Sequence, residues 1–272
     1  MTVDGLVRLS LLLVLAGTVL ACAAPGPGGF APLRGEVRDR ITASDEPEGM
    51  RRARVRLELA GAYYGRGQYT TALDEVKQAI AADPTMGAAF NLRGLIYASL
   101  GDHGLAEDSF RRALTLDRSD ADALQNYGWY LCQQRRFDEA QALFAQALEV
   151  PQYRDTPRTL LAKGVCQARA GQLVQSEATL QRAYELDAGN PATAVNLSEV
   201  LFLRGNFERA RFIIRRINAQ SEVSNAQTLW LAARIENKLG NMPAARSLGE
   251  QLRNRFPQSP EADVYEQRQF DD

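Results

Sequence analysis

One motif recurs along this chain about every 34 residues, and nothing else in the sequence constrains the fold as tightly. A small residue stands at Ala72, Ala106, Ala140, Ser176, Ala210 and Ala245, at successive spacings of 34, 34, 36, 34 and 35. Five residues before each comes Gly67, Gly101, Arg135, Gly171, Gly205 and Gly240. A second small residue precedes that hinge at Ala60, Gly94, Gly128, Gly164, Ser198 and Ala233. The third copy shows the unit most clearly. Asn126-Tyr127-Gly128-Trp129-Tyr130-Leu131-Cys132 and Phe137 to Leu148 carry apolar residues at helical spacing on either side of Gln134-Arg135-Arg136. Each copy therefore reads as two amphipathic helices joined by a tight hinge.

A 34-residue helix-turn-helix period is the signature of a tetratricopeptide repeat. One such hairpin cannot bury its apolar face alone, whereas stacked hairpins share a continuous core. The expected fold is all-α: a right-handed superhelical solenoid of six repeats over residues 51–272, its concave side lined by first helices. Pro84 and Pro257 should stop second helices. Thr156-Pro157 and Asn190-Pro191 read as N-cap followed by proline at the first helical position. Ser259-Pro260-Glu261 should open a capping helix that covers the last repeat with Val264, Tyr265 and Phe270. His103 takes the slot of Tyr69 and Phe137 after the hinge and reads as a packing residue.

Residues 1–21 differ in kind. The apolar run from Leu9 to Ala21 follows Arg8 and is about 13 residues long, too short to span a bilayer core of about 30 Å but suited to a signal-peptide core. Val19-Leu20-Ala21-Cys22 resembles a bacterial lipobox, which makes Cys22 the expected lipidation site. Simple cleavage after Ala21 would instead leave Cys22 a plain thiol. Ala23 after the cysteine points toward the outer membrane. Residues 22–50, with Pro25, Pro27, Pro32 and Pro47, lack periodicity and read as a tether.

Little in the chain suggests an enzyme. It has one histidine and three cysteines, without metal-ligand spacing, nucleophile elbow or phosphate loop. Gly26-Pro27-Gly28-Gly29 has no strand before it and no Gly-Lys-Ser/Thr ending. The carboxylates Asp74, Glu75, Glu107, Asp108, Glu139 and Glu177 mostly recur at second-helix positions where solvated charge is expected. A formal net charge of −1 gives no field for nucleic acid. No cofactor, metal or small-molecule substrate is expected.

Several blocks depart from the generic repeat: Asn126-Tyr127-Gly128 with Leu131-Cys132, Pro151 to Pro157, Gly164-Val165-Cys166, Leu229-Trp230-Leu231 with Arg234-Ile235-Glu236, and Gln251-Leu252-Arg253 with Arg255-Phe256-Pro257. In these the chain resembles the type IV pilus biogenesis and stability lipoproteins, the PilF/PilW pilotin family. The likeness covers residues 50–260 and departs at Leu20 and in the Pro/Gly-rich tether. It implies a non-enzymatic outer-membrane lipoprotein facing the periplasm, which helps the outer-membrane secretin of the pilus localise or multimerise, or stabilises pili. A repeat lipoprotein serving another envelope machine, in outer-membrane protein assembly or cell-wall synthesis, is the alternative.

The oxidising periplasm implied by that resemblance bears on Cys132 and Cys166. They fall on neighbouring first helices, on sides that should face each other, and would close as a disulfide if their Cα atoms come near enough. Two buried thiols are the other reading. For the concave groove, repeat positions single out Arg54, Leu57, Asn91, Leu95, Gln125, Trp129, Arg169, Phe202, Trp230 and Arg234 as partner-binding residues, the aromatic and Arg members as anchors. Arg209, Arg211, Arg215 and Arg216 form the strongest basic cluster. It reads as a solvated outer face pairing with Glu208, or as a contact for acidic protein or lipid headgroups.

Overall fold

The hinges explain why the chain doubles back where it does. Gly67, Gly101, Gly171, Gly205 and Gly240 all have φ between 73° and 85°, the left-handed region that glycine enters without steric cost. Arg135 takes the same conformation at φ 61°, where a side chain costs about 1–2 kcal/mol. The computed structural model describes residues 46–267, which form thirteen helices with no strand among them. The signal-peptide reading, Cys22, the tether up to residue 45 and Phe270 lie outside the described residues.

Six hairpins follow one another. They are α1 (Glu48–Gly65) with α2 (Tyr69–Ala82), α3 (Gly87–Leu100) with α4 (His103–Leu116), and α5 (Ala121–Gln133) with α6 (Phe137–Glu149). Then come α7 (Thr156–Arg169) with α8 (Leu173–Leu186), α9 (Pro191–Leu203) with α10 (Phe207–Asn218), and α11 (Ala226–Lys238) with α12 (Met242–Arg255). The cap is α13 (Pro260–Glu266). The first helix begins at Glu48, so the last three residues of the expected tether are already helical. Asn190 caps α9 as expected, accepting from the Thr193 amide at 3.1 Å. At α7 the cap is Asp155, with Thr156 already helical, one residue earlier than the Thr-Pro pair suggests. Ser259 caps α13, its hydroxyl accepting from the Ala262 amide at 3.2 Å.

Within a hairpin, the small residue of the first helix receives a large side chain from the second. A Cβ added to Gly94 would stand 2.8 Å from the Phe110 ring, one on Gly128 3.0 Å from Phe144, and one on Gly164 2.6 Å from Leu180. Each of these large residues sits four positions after the aligned small residue Ala106, Ala140 or Ser176, one turn along the same face. The first hairpin has Ala60 in the slot and the smaller Val76 in the matching position, both fully buried in one cluster. The last has Ala233 and Gly249. The room left at Gly249 is taken by Tyr265 of the capping helix, 2.0 Å from where a Cβ would lie. Slot and knob therefore vary together, as close packing demands.

Between hairpins, polar ties supplement this packing. Arg136 of the third repeat pairs with Glu107 of the second at 2.8 Å, and the Tyr127 hydroxyl donates to the same carboxylate at 2.8 Å. Burial would raise the Glu107 carboxyl, but hydrogen bonds from Arg136 and Tyr127 with the Arg111 charge outweigh it and hold it below its usual range. Arg204 and Arg209 of the fifth repeat both engage Glu177 of the fourth. Arg215 reaches Glu236 of the sixth at 2.6 Å, where the carboxylate is only 2% exposed. Glu107 and Glu177 are thus partners in ion pairs, not the solvated charges their spacing suggests. The junction of repeats three and four differs. Gln141 takes the place that Glu107 and Glu177 hold, and both ends of its amide are buried without a hydrogen-bond partner. Here Cys132 and Cys166 form a disulfide with Cα atoms 5.8 Å apart, between α5 and α7. The extra two residues of this repeat are absorbed in the α6–α7 loop, where Gln152 has φ 60°.

Gly94→Ala should lower stability by about 1–3 kcal/mol, since the added methyl overpacks against Phe110. Gly94→Ala with Phe110→Val, which copies the Ala60 and Val76 pairing, should cost less than the two single changes summed. Urea unfolding of all three variants checks this; strict additivity would mean the slot and the knob do not meet.

Candidate partner-binding groove

The residue after each glycine slot lies about 100° further round its helix, so it turns from the second helix toward the concave side. Leu95, Trp129 and Val165 follow Gly94, Gly128 and Gly164 in this way, and all three line one hollow of about 570 Å³. Gln125 and Leu161 enter from the previous turn of α5 and α7, and Asn126, Arg158, Arg169, Tyr64 and Asn196 complete much of its wall. A volume of this size is typical of a ligand-binding cleft.

Polar groups line up across the floor. The Asn126 amide donates to Asn91 Oδ1 at 3.3 Å and accepts from Arg158 at 3.3 Å, joining α3, α5 and α7. The Arg169 guanidinium lies 4.9 Å from the centroid of the Trp129 ring, a cation–π stack across the same two repeats. Gln125 is 5% exposed, and its Oε1 is buried without a hydrogen-bond partner.

Four expected groove residues thus meet in one place: Leu95, Gln125, Trp129 and Arg169. Asn91 supports the wall from behind through Asn126. The rest lie elsewhere. Leu57 packs against the core of the first repeat. Arg54 is exposed on α1 and pairs with Glu46 at 3.0 Å and Glu58 at 3.6 Å. Phe202 is a core residue, 7% exposed and packed on Phe207, because it lies four positions past its slot, on the buried face. Arg234 stacks over Phe202 at 4.6 Å and lines a second hollow of about 260 Å³ with Glu199, Gln227, Glu261 and Trp230. Trp230 shows that hollow an edge, yet it is 8% exposed and belongs to the core under the cap, with Leu252 and Ala262. Asn126 and Val165 enter the sequence reading only as parts of the repeat and resemblance blocks, and Arg158, Leu161 and Asn196 not at all, although Leu161 and Val165 share repeat positions with Gln125 and Trp129.

Two further expectations change. His103 is exposed at the start of α4, its ring 6.1 Å from that of Tyr130, because Tyr130 itself fills the buried space. In the basic cluster, Arg211 pairs with Glu208 as expected. Arg209 and Arg215 instead tie down the buried carboxylates Glu177 and Glu236. Among the described residues no group of acidic, histidine and cysteine side chains could hold a metal, and no helix is long and apolar enough to cross a membrane.

Tetratricopeptide-repeat models match residues 57–122, 128–191 and 167–229. The crystal structure of PilW, a widely conserved type IV pilus biogenesis factor, superposes with a TM-score of 0.73 at 31% identity, over 78% of this chain and 97% of that one. The chain belongs to this family of tetratricopeptide-repeat pilus biogenesis proteins. The type IV pilus assembly protein PilF of Pseudomonas aeruginosa is 25% identical over 255 residues, covering 94% of this chain and 96% of its own. The solved structure of that pilF product shares the fold, with a TM-score of 0.72 at 23% identity over 82% of this chain and all of that one. Membership does not by itself select a working face, and the two tryptophans of this pilus-biogenesis chain separate the alternatives. Trp230→Ala should cost about 3–5 kcal/mol as a core truncation. Trp129→Ala should cost far less, losing a partly exposed ring and a stack worth about 0.5–1 kcal/mol. Thermal melts of both variants check this; equal losses would mean that Trp129 is core as well.

Proposed function

We propose that this chain is a non-enzymatic scaffold of the type IV pilus machine. It is held at the outer membrane by lipid on Cys22, faces the periplasm, and binds a segment of the outer-membrane secretin in the groove of its third and fourth repeats. The observation that carries this reading is the hollow around Trp129. It combines an aromatic ring, a stacked arginine and a line of side-chain amides on rigid helices, the mixture that concentrates binding energy at protein interfaces. The assembly and biogenesis roles that name the relatives supply the machine. The residues lining the groove offer amides, arginines and apolar surface but no paired acid and base, which suits holding a partner and not transforming one.

Two substitutions test the reading. Cys22→Ala should leave the repeats folded and release the protein from the outer membrane on fractionation, since a pair of acyl signals is what makes such anchoring stable. Trp129→Ala should keep the protein in that membrane and weaken its association with the secretin by more than about 1 kcal/mol. Normal secretin multimers in cells carrying a folded, correctly placed Trp129→Ala variant would contradict the groove reading.

A further inference from the structure

Several arginines among the described residues are taken up in ion pairs. Arg136, Arg204, Arg209 and Arg215 each hold a glutamate across or between repeats. Arg169 departs from this. It is exposed, has no ion pair among the described residues, and places its guanidinium carbon over the Trp129 ring, 4.9 Å from the centroid. Stacking fixes the plane of a guanidinium while leaving its N–H edge free, which is the geometry that grips a carboxylate through two hydrogen bonds. Arg158, in the same wall, spends one N–H on Asn126 and feels the charge of Asp122. No carboxylate lines the hollow itself.

A second, independent observation is the Gln125 carbonyl. It is buried, borders the hollow and lacks a donor. Closed off as it is, this acceptor meets an outside donor only when its side chain turns toward the hollow, and the backbone N–H of an extended peptide is the donor that such a groove ligand brings. Apolar surface from Trp129, Leu161 and Val165 lines the same hollow.

Resting on the groove reading above, we propose that the bound segment is an extended internal stretch of the partner with an acidic side chain next to an apolar one. The carboxylate seats on Arg169, the apolar side chain on Trp129 and Leu161, and a backbone N–H on Gln125 Oε1 once that side chain turns into the hollow. An internal stretch fits better than a chain end because wall residues run from Tyr64 of the first repeat to Asn196 of the fifth. Register is set by charge as well. The neighbouring hollow carries Glu199 and Glu261 against the single arginine Arg234, so an acidic residue shifted toward the cap meets a net negative wall.

The test uses the full-length chain in detergent and three labelled, C-terminally amidated nonapeptides of glycine and serine. Each has a central Leu-X-Leu, with X as aspartate, asparagine or lysine, and binding is read by fluorescence anisotropy. The aspartate peptide should bind on the order of tenfold more tightly than the asparagine peptide, as a charge-assisted hydrogen bond provides. Arg169→Gln should erase that difference, and Arg169→Glu should reverse it in favour of lysine. The far-ultraviolet circular dichroism of both variants should match the parent, since Arg169 is exposed. Equal binding of all three peptides to the parent would overturn the acidic preference while leaving a groove that holds extended chains. A preference unchanged by Arg169→Gln would place the carboxylate elsewhere and overturn the seat. Binding of none at millimolar concentration would overturn the groove reading along with it.

Discussion

The structure rests on a contact that recurs along the hairpins and is adjusted at the two ends. A first-helix residue with little or no side chain meets the side chain one turn beyond the small residue of the second helix. In the first repeat that side chain is a valine, and in the last Tyr265 of the cap stands in for it. Gly94 with Phe110, Gly128 with Phe144 and Gly164 with Leu180 set how closely the two helices approach. That approach fixes what neighbouring positions can do. The residue after each slot is rotated onto the concave face, and so Leu95, Trp129 and Val165 share one hollow. A groove built on this principle is a by-product of core packing. Its shape cannot change without moving the slots.

Adjacent hairpins are joined by a second class of contact, and here the repeats are not equivalent. Glu107 with Arg136, Glu177 with Arg204 and Arg209, and Glu236 with Arg215 are ion pairs with at least one largely buried partner. Removing one partner of such a pair costs far more than the pair contributes over an apolar alternative, so these ties define register more than they add stability. The third junction has the unpaired Gln141 amide and the Cys132–Cys166 disulfide instead. It is the same junction that Trp129 and Arg169 span. The covalent bond therefore holds together the two repeats that form the hollow's main walls, where the ionic tie is missing.

The architecture was legible from the spacing alone, because slot, hinge and second-helix positions recur in register and leave few alternatives. Asn190 and Ser259 announced their caps for the same local reason. The groove was legible only in part. Leu95, Gln125, Trp129 and Arg169 follow from repeat position, while Leu161 and Val165 share those positions and are not among the groove residues singled out from the sequence. Trp230 and Phe202 misled in the opposite direction. A large aromatic at a groove-side position looks like an anchor, but the cap buries Trp230 and rotation along α9 buries Phe202. Glu107 and Glu177 looked solvated because their partners come from the next repeat, about 30 residues away, and no local pattern records such pairings.

The central claim is that the concave face of repeats three and four is the working surface. Photo-crosslinking in the native envelope addresses it directly, with a photoreactive amino acid at Leu161 in the groove or at Phe212, which is 65% exposed among the arginines of the convex face. Immunoblotting for the secretin should give a crosslinked band from position 161 and none from position 212. A band from 212 without one from 161 would move the working surface to the convex face and contradict the account.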